Sequence, residues 1–326
     1  MTSITCVIPV YNEVESLPEL HRQIISVCEA NNYQYEIVFV DDGSNDSSWD
    51  CVLNLQKQDT NIKGIRFRRN FGKAAALNAG FKEATGSIVF TLDADLQDDP
   101  EEIPHFLELM ESESLDVISG WKKRRYDPWH KVGPSRIFNR MVSTLTKVKL
   151  HDHNCGFKCY RREVLEEVHL YGELHRFVPV LAAARGFKVG EIIVNHRKRQ
   201  FGHSKYGVRR IVKGFLDLLT VYMLTGYGHR PQHLLGTLGL GCFGASGCLT
   251  LGLSLHWALD RLFDVENPVH LHERAIFYFA LVGVIIGIQL LMTGFVAELV
   301  TKQTSKDEQI YAVCETIGTA NNEERS

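Results

Sequence analysis

Two stretches near the C-terminus carry no charged residue, Leu234 to Leu259 and Ala275 to Ala297. Each is long enough to cross a bilayer, which takes about 20 residues. In lipid a chain must satisfy its backbone polar groups within itself, so such runs are confined to helices. Both runs are rich in Gly, Leu, Val and Ile, as membrane helices tolerate. A helix hairpin over 232–300 is expected, with a polar tail over 301–326. The charge pattern orients it. Between Glu191 and Asp217 stand seven Lys or Arg and no acid, while the loop Asp260–Arg274 is net acidic. The positive-inside rule then puts the N-terminal head and both termini in the cytoplasm, on an integral protein of the inner membrane.

The head reads differently. Apolar runs Ile4–Val10, Tyr35–Val40, Ile62–Phe67, Ser87–Leu92, Leu115–Ser119 and Lys188–Val194 alternate with helical patterns. A shorter strand is expected over Gly156–Tyr160. Strands alternating with helices predict an α/β, doubly wound, Rossmann-like domain over 1–205. In such sheets, ligands bind where the strands end. Ser16 with Glu19 reads as a capping box for the first helix, and Leu174–Arg185 as one continuous helix. From 206 to 231, Arg209, Arg210 and Lys213 alternate with Ile211, Phe215, Leu218 and Leu219, the pattern of helices lying in the membrane interface. Eight cysteines are scattered without zinc spacing. The first strand begins almost at once, so no secretory leader is expected. A net charge of −3 gives no reason to expect nucleic acid.

Chemistry concentrates where three strands stop. The first runs into Pro9-Val-Tyr11-Asn-Glu13, the second into Asp41-Asp42-Gly43-Ser44, and the fourth into Asp93-Ala-Asp95-Leu-Gln97. Asp93 and Asp95, one residue apart on an extended segment, would share a face and could hold one hard divalent cation, with Gln97 adding a neutral oxygen. Asp41 or Asp42 could accept hydrogen bonds from a ribose or base, and the cation would neutralise a pyrophosphate. This describes a nucleotide site supporting a departing nucleoside diphosphate. No G-x-G-x-x-G or G-x-x-x-x-G-K-[ST] is present, so dinucleotide and P-loop readings lack support.

V-I-P-V-Y-N-E, V-D-D-G-S-x-D, R-N-F-G-K-x-A-A-L-N-A-G and D-A-D-L-Q-D-D-P, in this order, resemble the GT-A family 2 glycosyltransferases. Within these the chain is similar to the polyprenyl-phosphate glycosyltransferases, the bactoprenol glucosyltransferase and dolichol-phosphate mannose synthase group. The resemblance covers about 3–207, and the two-helix tail fits the bactoprenol branch. It implies that Pro9, Tyr11, Glu13, Asp41 and Asp42 hold the nucleoside with Lys73 nearby. It implies that Asp93, Asp95 and Gln97 hold Mg²⁺ or Mn²⁺. Arg199-Gln-Phe-Gly-His-Ser-Lys205 matches the family's R-x-x-G-x-S-K segment, so Arg199, Ser204 and Lys205 would meet phosphates, although His203 stands where the family often has Glu. Arg124, Arg136 and Arg140 are candidates for the acceptor phosphate, with attraction to anionic headgroups as the plainer reading.

The implied reaction is inverting transfer of a hexose to the phosphate of a polyprenyl phosphate, with UDP-glucose the first donor and GDP-mannose the second. A phosphate monoester is largely ionised near neutral pH, since its second ionisation lies near pH 6, so alignment and leaving-group support matter more than a strong base. Asp152, at the acid position of the family's D-x-x-x-G-F-[RK], could place the acceptor, bind a sugar hydroxyl or act as base. His151 and His153 flank it, but alternation turns them to the opposite face from Asp152, against a shared metal site. Two other readings compete. A processive polysaccharide synthase would carry more spans and a Q-x-x-R-W motif, and no Trp here follows Arg. A catalytically inactive nucleotide-sugar-binding scaffold would have no need of intact Asp93, Asp95, Gln97 and Arg199. Gly239, Gly241, Gly244 and Gly247 suggest close helix packing and self-association into a homo-oligomer.

Overall fold

The computed structural model describes residues 2–123, 129–168, 174–197, 209–227, 230–265 and 270–304. The chain divides into two compact units, 1–225 and 226–326. The first is built on a seven-stranded sheet of order β3-β2-β1-β4-β6-β5-β7. Its strands are β1 (Ser3–Val10), β2 (Gln34–Asp41), β3 (Ile62–Arg66), β4 (Ile88–Thr91), β5 (Val117–Trp121), β6 (Lys158–Arg161) and β7 (Val189–Ile193). All but one run the same way. β6 is antiparallel to both β4 and β5, with Thr91 opposite Lys158. The start of β6 therefore lies at the edge where β1, β2, β4, β5 and β7 end. Alternation alone did not show this strand reversal.

Helices cover both faces, as apolar strands buried on two sides require. On one face lie α1 (Leu17–Ala30), α2 (Ser48–Gln58) and α4 (Ile103–Ser112), whose buried positions recur at helical spacing, Leu17, Leu20, Ile24 and Cys28 in α1. Phe90 of β4, Phe106 of α4 and Phe157 ahead of β6 form an aromatic cluster with centroids 4.7–6.1 Å apart. This cluster lies in the core on which the loops after β4 and before β6 rest. On the other face, α3 (Lys73–Glu83) presents Ala74, Ala76, Leu77 and Gly80 inward. These small residues let the helix approach Val7 and Val40 so closely that a Cβ at Gly80 would strike Val7.

Two expectations need correction here. Ser16 makes no side-chain cap, because its hydroxyl donates to the Glu13 carbonyl (2.9 Å) and Glu19 pairs with Arg22. Leu174–Phe177 is a 3₁₀ turn leading into α7 (Val178–Ala184), not one helix, since Pro179 enters at the start of α7. Arg136 and Arg140 lie on α5 (Trp129–Thr146), a helix that periodicity had not indicated. A short α6 (Arg162–Glu167) follows β6.

The juxtamembrane stretch is α8 (Arg209–Tyr227). One member of its expected membrane face, Leu218, is instead buried with Val221 against Val142, Leu174, Phe177 and Val180 of the head, while Phe215, Leu216, Leu219 and Leu224 remain exposed. In the second unit α9 (Pro231–Leu262) and α10 (Ala275–Thr304) are both long and apolar enough to cross a membrane. The glycines expected to serve self-association divide. A Cβ at Gly239 would stand 2.8 Å from the Gly287 carbonyl, so this residue packs the hairpin itself, whereas Gly241, Gly244 and Gly247 have open space beside them.

Candidate active site

The loops after β1 and β2 are tied into one surface. Asn12, at φ +56°, donates its N–H to Ser44 Oγ and accepts the Asn45 N–H on its side chain. The Glu13 N–H reaches Ser48 Oγ. Pro9, Tyr11 and Glu13 are all partly exposed along this surface. Asp41 is fully buried and accepts the Ser44 N–H at 3.0 Å. Asp42 accepts the N–H groups of Phe71 (2.6 Å) and Gly72 (2.9 Å), drawing in the R-N-F-G segment. Burial, with Asp41 beside it, pushes the Asp42 carboxyl above its ordinary range against those two donors. Gly43 sits at φ +72°, where a side chain is strained, and a Cβ there would lie 2.5 Å from the Arg69 carbonyl carbon. Both acids brace the loops that a nucleoside would meet.

Asp93 and Asp95 do not lie on a strand. β4 stops at Thr91 and the chain turns, with Leu96 at φ +60°, so the argument from strand alternation fails. The turn is held by its own acids instead. Asp95, nearly buried, accepts the Gln97 N–H at 3.2 Å. Asp98 accepts the Asp93 N–H at 3.1 Å with one oxygen and pairs with Lys122 at 2.9 Å with the other. Asp98 is buried and the Lys122 side chain is 14% exposed, so removing the lysine would leave a buried carboxylate without its counter-charge. Asp99 takes a two-pronged contact from Arg197 (3.1 and 2.5 Å) and another from Asn195 (3.1 Å). Gln97 faces this segment, its amide 3.4 Å from His196 Nε2 and from the Arg197 carbonyl.

The Asp93 side chain is one-third exposed and is paired with the Lys73 ammonium. Burial would raise its pKa, but Lys73 and Lys122 outweigh that and hold the carboxyl well below the usual carboxylate range. Its other side rests on Gly156, where an added Cβ would lie 2.6 Å from Oδ2. Thr91 Oγ1 donates to the Gly156 carbonyl (2.7 Å), closing the contact. An ionised carboxylate in a cradle that only glycine leaves open, with a second acid two residues on, fits a hard divalent cation. Among the described residues no group of three or more His, Cys, Asp or Glu gathers around a metal position. The protein's share would be Asp93, Asp95 and neutral oxygens.

The loop 151–156 reaches this edge because β6 is reversed. Asp152 is buried, and its Oδ1 accepts the Asn154 N–H at 3.1 Å. Glu191 of β7 accepts the N–H groups of His151 (2.8 Å) and Asp152 (3.0 Å) and meets His151 Nδ1 at 2.7 Å. His151 stacks on Trp121, centroids 4.0 Å apart. His153 points elsewhere, with Nε2 3.0 Å from Ser143 Oγ of α5 and, among the described residues, no hydrogen-bond partner for Nδ1. Burial, aided by the Lys158 charge, pushes its pKa down from 6.5 to about 4. Between these values the unfolded chain binds a proton that the folded one refuses, so stability falls as pH drops through that window, by up to about 3 kcal/mol. Thermal unfolding of wild type is expected to weaken more steeply from pH 6.5 to 4 than that of His153→Gln; parallel slopes would contradict the assignment. Lys158, also buried, donates to the Cys155 carbonyl and is pushed down to about 8, chiefly by burial.

Arg136 and Arg140 lie exposed on α5, Arg140 lining a groove of about 500 Å³ with Ser143, Thr144, Lys147 and Lys149. Arg124, Arg199, Ser204 and Lys205 lie outside the described residues. Sequence reasoning overlooked Lys122, Asp98, Asp99, Arg197 and Glu191. Only Asp98 and Asp99 carried a signal, inside the quoted D-A-D-L-Q-D-D-P.

A mixed α/β sheet gathering an Asp-x-Asp turn and two knitted polar loops at its strand ends, followed by two apolar helices, defines a GT-A glycosyltransferase with a candidate membrane hairpin. The model of glycosyl transferase family 2 matches residues 5–169, and the chain belongs to that family. It is 33% identical over 312 residues to a dodecaprenyl-phosphate galacturonate synthase of Rhizobium johnstonii, covering 94% of this chain and 89% of the relative. It is 35% identical over 306 residues to an undecaprenyl-phosphate 4-deoxy-4-formamido-L-arabinose transferase of Sodalis glossinidius, covering 91% and 88%. Among solved structures, glucosyl-3-phosphoglycerate synthase of Mycobacterium tuberculosis, in complex with Mn²⁺, uridine diphosphate and phosphoglyceric acid, shares the fold. The TM-score is 0.52 at 14% identity, over 69% of this chain and 78% of that one.

Proposed function

We propose that this protein transfers a sugar from a nucleoside-diphosphate donor to the phosphate of a membrane polyprenyl phosphate, inverting the anomeric centre. The observation that carries the reading is the meeting of the Asp93–Asp95 turn with the Gly156 end of the Asp152 loop at one sheet edge. The relatives named for polyprenyl-phosphate products align over more than nine-tenths of the chain. The division of labour follows: a catalytic head over 1–205, an interfacial juxtamembrane segment over 206–231 that contains α8, a membrane hairpin over 232–300 and a polar tail over 301–326. The basic stretch before the hairpin and the acidic loop within it favour a cytoplasmic head on the inner membrane.

A Mg²⁺ or Mn²⁺ ion bound by Asp93 and Asp95 would stabilise charge on the departing diphosphate. The loops of Pro9, Tyr11, Glu13, Asp41 and Asp42 hold the nucleoside. Asp152, its backbone gripped by Glu191, orients the acceptor, while Arg124, Arg136, Arg140, Arg199 and Lys205 supply positive charge for its phosphate and Ser204 a hydroxyl donor. The acceptor needs alignment behind the anomeric carbon more than deprotonation.

UDP-glucose stands as the donor suggested by the two-helix architecture, and GDP-mannose as the second. The relatives' names add galacturonate and 4-deoxy-4-formamido-L-arabinose to the field. Purified full-length protein, given undecaprenyl phosphate and each labelled donor in turn, should make organic-soluble product with one donor at least about tenfold faster than with the others. Binding without turnover for every donor would leave a scaffold, and a water-soluble polymer a synthase.

A further inference from the structure

We propose that Lys73 is an internal counter-ion that occupies Asp93 until a nucleoside diphosphate arrives, so that the divalent cation and the nucleotide bind as a coupled pair. This rests on Asp93 and Asp95 being cation ligands, as proposed above.

Lys73 is the first residue of α3, and its ammonium pairs with Asp93 Oδ1. Its stem is anchored to the nucleoside side of the site, since the two preceding N–H groups, of Phe71 and Gly72, are held by Asp42. The lysine thus spans from the loops expected to meet the nucleoside to the turn expected to hold the metal. The second ammonium acting on Asp93 is not free to replace it. Lys122 is committed to buried Asp98, 2.9 Å away.

Asp93 Oδ2 lies nearer the Gly156 side, 2.6 Å from a Cβ built there against 3.1 Å for Oδ1, and Oδ1 is the oxygen that Lys73 holds. A divalent ion approaching Oδ1 meets an ammonium at the same lone pairs, and like charges a few ångströms apart in a partly desolvated site repel strongly. The lysine and aspartate side chains are 33% and 34% exposed, so the pair can part without unpacking the core. A diphosphate changes the balance, because its oxygens offer the ammonium a new partner and give the metal additional ligands. Lysine suits such an exchange, with a compact charge on a flexible stem.

The experiment is an Mn²⁺ titration of the purified full chain in detergent, following free Mn²⁺ by electron paramagnetic resonance. Wild type, Lys73→Met, Lys73→Arg and Asp95→Ala are each measured alone, with UDP and with inorganic pyrophosphate. Wild type should bind Mn²⁺ about tenfold more tightly with either phosphate probe than without, within the usual range of coupling. Lys73→Met should bind Mn²⁺ alone about tenfold more tightly than wild type and gain less from the probes, while Lys73→Arg keeps the wild-type pattern. If Lys73→Met binds Mn²⁺ alone no better than wild type, and both still respond to UDP, the counter-ion role is overturned while the cation site stands. If wild type binds no Mn²⁺ under any condition, or Asp95→Ala binds it as wild type does, the cation reading itself fails.

Discussion

Asp95→Ala is expected to lower sugar transfer by about 10²–10³-fold or more, the scale of losing one preorganised electrostatic group at a reacting centre. The residue is 6% exposed and caps the Gln97 N–H. Its removal also sacrifices the turn hydrogen bond from Gln97, a loss of about 1 kcal/mol, far smaller than the expected effect on rate. Rate and thermal unfolding should therefore separate. Organic-soluble product would be followed over time, with melting measured on the same preparation. A variant transferring within threefold of wild type, or wild type fully active in excess chelator, would remove the metal turn from the mechanism.

Gly156→Ala is expected to cost about 10–100-fold in rate through a single methyl group. The new Cβ would lie 2.6 Å from Asp93 Oδ2 and 2.9 Å from its Cγ, so the carboxylate must move. A displacement near 1 Å in a positioned group can cost about 10²-fold. The Gly156 carbonyl is tied to Thr91 Oγ1 at 2.7 Å, which limits escape by the loop. Overpacking of this kind costs about 1–3 kcal/mol of stability. Mn²⁺ affinity should weaken together with the rate. Unchanged rate and Mn²⁺ affinity would mean that the loop yields and Asp93 does not.

Lys122 and Asp98 show why much of the site was hidden. They are 24 positions apart in the chain, and nothing in either's surroundings names the other. Once folded they make the ion pair, with Asp98 buried, that holds the Asp93 N–H side of the turn. Glu191 entered the sequence reading only as the bound of a basic stretch, yet from an edge strand it fastens the backbone of His151 and Asp152. Asp93 and Asp95 were found for an incomplete reason: their residue types suit a cation, but the strand face invoked for them is a turn shaped by Leu96 and by Asp98. The capping box at Ser16 failed because a nearer carbonyl, that of Glu13, took the hydroxyl.

The amino-acid order alone determined the local outcomes. Apolar runs made β1, β2 and β4, the polar loops fell where those strands stop, Gly43 marked its left-handed turn, and two uncharged stretches made membrane-length helices. Each depends on residues adjacent in the chain or one helical turn apart. Tertiary structure decided the reversal of β6, the delivery of Asp152 and Gly156 to the Asp93 edge, the Lys73–Asp93 pair and the burial of Leu218 in the head. The physical reason is that a four-residue strand such as Lys158–Arg161 has too little periodicity to declare its neighbours. Its direction is set by which distant strands supply hydrogen bonds and burial, and these become available only once the sheet has formed.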